Sequence, residues 1–168
     1  MRKLAIIAML ALAGVFTLSA CGKKGGETQQ TQQTAKLTKP TNPENKPAWQ
    51  AYLGQVLQDG NYMKGMTGDQ PYVYYVAPGD SDKDAAERQR QLNNVSDTIA
   101  RGVLPGYLMA FAGPSSTQTA DLVEQAFQDA KPGSLSKVIV VFVGDKAQEA
   151  QVAKVVKPTG AIFRFAQM

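Results

Sequence analysis

The chain contains no histidine and a single cysteine, Cys21. Those two scarcities remove much of the usual repertoire of small enzymes. A Ser-His-Asp triad, a Cys-His dyad and a zinc site of the Cys/His type all need residues that are missing, and no internal disulfide can form. Catalysis within this chain would have to rest on carboxylates, Lys, Ser, Thr or Tyr. Phosphate-cradling glycine motifs are missing as well. There is no G-x-x-x-x-G-K and no G-x-G-x-x-G, so the sequence implies no nucleotide cofactor, and none of another kind. Charge is also scarce: 18 basic residues face 14 acidic ones, and without Arg2 and Lys3 the basic count falls to 16. A nucleic-acid partner would need a clustered basic face, and these charges are dispersed.

The one long apolar run lies at the start. Arg2 and Lys3 precede "LAIIAMLALAGVF", and small residues follow it up to Cys21. That is the layout of a secretory signal peptide, and the run is too short and alanine-rich for a membrane span. "LSAC", Leu18 to Cys21, resembles the lipobox of bacterial lipoproteins. The resemblance implies that the bond between Ala20 and Cys21 is cut, that residues 1–20 are removed and that the Cys21 thiol is joined to a diacylglycerol. Two or three acyl chains hold a protein stably to a bilayer, so the implied partner is a membrane, through the lipid anchor. Gly22 lacks the aspartate that the family associates with inner-membrane retention. The implied address is the outer membrane, with the domain in the periplasm.

After the cysteine, residues 21–46 hold Gly, Gln, Thr, Lys and Pro with one large aliphatic residue, Leu37. Such a stretch cannot bury enough apolar surface to offset its ordering entropy, and it reads as a flexible tether. A globular domain is expected over residues 47–168. "AWQAYLGQVLQDG" places Trp49, Tyr52, Leu53, Val56 and Leu57 on one helical stripe, with Pro47 near the start and Gly60 past the end. Beyond a glycine-rich loop, strands and helices alternate: "PYVYYVA", a long helix with Leu92, Val95, Ile99 and Val103, "GYLMAFAG", a helix with Ala120, Val123, Phe127 and Ala130, "KVIVVFVG", a shorter helix, and "AIFRFAQM". Alternation of this kind predicts an α/β three-layer sandwich on a mostly parallel four-stranded sheet, preceded by an N-terminal helix. The unbroken run Val138 to Val143 reads as a central strand covered on both faces.

In open parallel sheets ligands bind beyond the carboxyl ends of the strands. Those ends here are "APGDSDKD", "AGPSST" and "VGDK". Asp80, Asp82 and Asp84 open like a calcium loop, but Ala85 stands where its glycine belongs and Gln91 where its closing glutamate belongs. Acidic residues at a helix start also complement the helix dipole. A metal would need Asp145 to join them around a cation. In the second turn Ser115 and Ser116 offer hydroxyls and amides for an anion or, with a lysine nearby, a nucleophile. Ser115 with Gln118, and Asp145 with Gln148, have capping-box spacing that needs no ligand. Tyr72, Tyr74, Tyr75, Tyr107, Trp49 and Tyr62 would line a groove if they shared a face, and would otherwise be core.

Two functions compete. One is a non-enzymatic, membrane-anchored envelope module that binds a protein partner or supports an assembly. The other is a small-ligand-binding or hydrolytic domain that uses Asp80, Asp82, Asp145, Ser115 and Ser116. Convergence of the three turns on one cleft would favour the second.

Overall fold

The computed structural model describes residues 36–168. The expected signal peptide, the expected cleavage and lipidation positions Ala20 and Cys21, and the expected tether up to residue 35 lie outside the described residues. Strands and helices alternate after an initial helix: α1 (Lys46–Asp59), β1 (Tyr72–Tyr75), α2 (Asp82–Arg101), β2 (Leu108–Ala112), α3 (Ser116–Phe127), β3 (Ile139–Gly144), α4 (Lys146–Val156) and β4 (Ile162–Gln167). The strands lie in the order β1-β2-β3-β4, and all three pairings are parallel.

Because the side chains of a strand alternate between faces, each internal strand feeds two cores. Leu108, Ala110 and Ala112 of β2, with Ile139, Val141 and Val143 of β3, pack against Trp49, Leu53 and Leu57 of α1. Met109, Phe111, Val140 and Phe142 point the other way, to Val95 and Ile99 of α2, Val123 and Phe127 of α3, and Val152 and Val156 of α4. Every residue of β2 and β3 is buried, which explains runs that are apolar without interruption. The layers are therefore α1, the sheet, and α2-α3-α4, as the alternation of elements implied. The unequal split results from the strand order. Each crossover steps one strand further in the same direction, so crossovers of one hand place their helices on one face. The other face is left to α1 and to the loop after it, which is pinned when the Arg164 guanidinium donates to the Tyr62 and Lys64 carbonyls.

The packed part begins ahead of Pro47. Asn45 caps α1 by accepting from the Ala48 amide at 3.2 Å. The Asn42 carbonyl accepts from the Trp49 indole at 3.1 Å, and the Pro43 carbonyl accepts from the Tyr75 hydroxyl at 2.6 Å. Among the described residues no helix is long and apolar enough to cross a membrane.

Candidate functional site

The three turns at the strand ends are built from their own side chains. At the start of α2 the Ser81 hydroxyl accepts from the Asp84 amide at 3.2 Å and donates to the Asp84 carboxylate at 2.6 Å. Ser81, a residue the acidic pattern distracts from, is the cap, while Asp82 and Asp84 fill the first turn where the helix dipole favours them. Asp80 points elsewhere and accepts from the Gln118 side-chain amide of α3 at 3.1 Å. Arg88 folds back from α2 to donate to the Ala77 and Gly79 carbonyls, closing the turn from beneath. The aspartates thus diverge. Among the described residues no three His, Cys, Asp or Glu side chains stand close enough to share a metal ion.

At the start of α3 the Ser115 hydroxyl accepts from the Gln118 amide at 3.3 Å, which is the expected cap. The expected Asp145–Gln148 cap is a correction: the Asp145 side chain makes no capping bond. Ser116, 5% exposed, reaches across from the neighbouring turn and takes both groups. Its hydroxyl accepts from the Asp145 amide at 2.8 Å and donates to the Gln148 side-chain oxygen at 3.0 Å. Adjacent strand ends lie only ~4.8 Å apart, so a side chain from the next turn can outcompete a local one. The Ser116 proton is committed to Gln148, and no lysine is among its hydrogen-bond partners, so the Ser-Lys nucleophile does not form.

The glycines of these turns have a packing reason. A Cβ on Gly144 would lie 2.5 Å from the Ser116 hydroxyl, and one on Gly113 would lie 2.5 Å from the Val76 carbonyl. Both are needed for close approach of backbone and neighbour, without any ligand. Asp80 and Asp145 sit on the ends of β1 and β3, with β2, Ser115, Ser116 and Gln118 between them.

The crevice itself is altered. Ligand crevices in open parallel sheets form where successive crossovers leave in opposite directions, and this strand order never reverses. On the α1 side the space beyond the strand ends is bordered by the chain's own entry segment. Pro40, Pro43, Trp49, Pro78, Pro114 and Ser115 line an open groove of about 570 Å³ there.

The aromatic residues do not share a groove. Trp49 and Tyr75 are buried together on the α1 face, Tyr74 stacks on Phe111 across the sheet at 5.0 Å, and Tyr72 stacks on Tyr107 at 5.7 Å. Burial, with added repulsion from Glu44, Glu87 and Asp84, pushes the Tyr75 hydroxyl up to about 12. Burial also raises Tyr74.

Gln118, Gln148, Arg88 and Gln91 are the side chains that tie this end together, and sequence reasoning missed their long-range roles. A glutamine three residues after a helix cap reads as a local box partner, so its sequence signal pointed to the wrong neighbour. No family model, no curated protein and no solved structure matches this chain.

Proposed function

We propose that the protein is a lipid-anchored envelope lipoprotein whose periplasmic α/β domain binds or supports a protein partner and carries out no chemistry of its own, with the outer membrane as its address. The observation that supports this best is the closure of the strand ends. The Ser116 hydroxyl, the most enclosed nucleophile candidate, is held by Gln148 and the Asp145 amide, and Asp80 is held by Gln118. A catalytic hydroxyl needs a base within hydrogen-bond reach, and a cation site needs carboxylates that converge. The hydrogen-bond partners of Ser116 include no such base, the Ser81–Asp84 hydroxyl–carboxylate pair serves the cap of α2, and among the described residues no three carboxylates converge. The lipobox at Leu18 to Cys21 supports the anchor, since a lone cysteine between an apolar leader and a polar tether has no competing role in disulfide or metal chemistry.

The test is acylation. The wild type should incorporate labelled fatty acid and fractionate with membranes, whereas Cys21→Ser should lose the label and leave the membrane fraction. Label retained by Cys21→Ser, or a freely soluble, cleaved wild type, would reject the anchor.

A further inference from the structure

The two edges of the sheet are treated differently. In a parallel ladder alternate residues turn both backbone groups toward one neighbour. The Val76 amide donates to the Ala112 carbonyl, so Tyr72, Tyr74 and Val76 face β2, while Val73, Tyr75 and Ala77 face outward. That outer edge is plugged by α2. The Gln91 side-chain amide donates to the Tyr75 carbonyl at 2.9 Å and Arg88 donates to the Ala77 carbonyl at 3.0 Å. β1 is also short, at 4 residues, and sits between Pro71 and Pro78. Short length, flanking prolines and plugged carbonyls are the usual protections of an edge strand.

β4 has none of them. It runs for 6 residues without proline. The Ile162 amide donates to the Val138 carbonyl and the Met168 amide to the Gly144 carbonyl, which fixes Ile162, Arg164, Ala166 and Met168 as the residues facing β3. The backbone N–H and C=O groups of Phe163, Phe165 and Gln167 therefore point away from the sheet, and no side chain among the described residues bonds to them. Beside them Ile162 is 45% exposed, and Phe163 and Phe165 are only half-buried.

We propose that β4 is a self-association edge, at which a second copy of this chain adds its own β4 antiparallel and joins the two sheets into one. The occupant is dictated by the edge's self-complementarity. With a two-fold axis at Phe165, Phe165 meets its copy and Phe163 meets Gln167, so every outward residue faces an outward residue and exchanges both bonds. On the α1 side Ile162 meets Met168, and Arg164 meets Ala166. Arg164 is the only ionised side chain of the strand and the Tyr62 and Lys64 carbonyls already hold it, while Lys146 of α4, over the Phe165 ring at 5.4 Å, is paired with Glu149, so neither cation meets its copy unpartnered. This inference stands on the edge geometry and needs no acylation at Cys21.

The experiment is the mass of the full chain in detergent as a function of protein concentration, run on the wild type, Cys21→Ser and Gln167→Pro. Proline at position 167 removes an outward N–H and leaves the ladder to β3 intact, a placement that edge strands tolerate. The wild type and Cys21→Ser should double in protein mass as concentration rises. Gln167→Pro should remain at the mass of one copy with a cooperative thermal transition. Backbone amide exchange of the wild type supplies a second reading that needs no variant: Phe163, Phe165 and Gln167 should slow severalfold in the concentrated sample and exchange freely on dilution. A wild type that stays at one copy, outward amides that remain unprotected, or a dimer that survives Gln167→Pro would overturn the proposal. A concentration-dependent dimer in Cys21→Ser separates this result from any failure of the anchor.

Discussion

Tyr75 shows how a single residue ties the entry of the chain to the sheet. Its ring is buried beside Trp49 while its hydroxyl reaches the Pro43 carbonyl, so an aromatic body packs in the core and its polar tip has a partner. Burial, then Glu44, Glu87 and Asp84, disfavour its ionised form and raise it from the ordinary value near 10 to about 12. A raised value means that the folded state holds the proton more tightly than the unfolded chain does. The stability this contributes is fully present below about pH 10 and is lost as pH climbs toward 12. Thermal melts across that window should show the advantage of the wild type over Tyr75→Phe shrinking as pH rises. A difference that stays constant with pH would mean that Tyr75 titrates alike in both states.

The elements at the strand ends are locked to one another by Ser116, which stands at the first position of α3 and serves the start of α4. Truncation there should cost more than truncation of its neighbour. Ser116→Ala leaves the part-buried Asp145 amide and the Gln148 side-chain oxygen without this partner, at about 1–3 kcal/mol. Ser115→Ala loses an ordinary cap, at about 1 kcal/mol. Denaturant unfolding of the two variants checks the order. Equal or reversed costs would show that the turn-to-turn clamp contributes little. The aspartate-rich turn belongs to the same scale: its acidic residues serve a dipole, a cap and a glutamine on another helix, so one alternating motif serves separate elements.

Across the molecule as a whole, the unreversed strand order puts α2, α3 and α4 on one face, leaves the other to α1, and denies the strand ends the crevice that reversal would open. The layer made by α1 depends in turn on the residues just before it. A chain beginning at residue 36 should fold cooperatively, and one beginning at Pro47 should be less stable by roughly 2–4 kcal/mol, because it loses the Asn45 cap and the carbonyls of Asn42 and Pro43 that accept from Trp49 and Tyr75. Equal unfolding midpoints for the two chains would place the domain start at Pro47 after all.

The sequence by itself determined the elements and their class. Periodicity named α1 through Trp49, Leu53 and Leu57, and the unbroken run Val138 to Val143 marked a strand covered on both faces, because backbone geometry fixes where side chains point. It also supplied the Ser115 cap, since capping is a contact within one turn of chain. The missing histidine excluded whole classes of site without any structure. Only the tertiary structure decided which turns are neighbours. Gln118 and Gln148 had local partners on paper, yet Asp80 and Ser116 claim them from other strands, a competition set by strand order and by the close spacing of strand ends. Likewise Phe163, Phe165 and Gln167 read as ordinary strand residues, and their outward backbone groups were invisible until β4 was placed at an edge, where a strand has one neighbour instead of two.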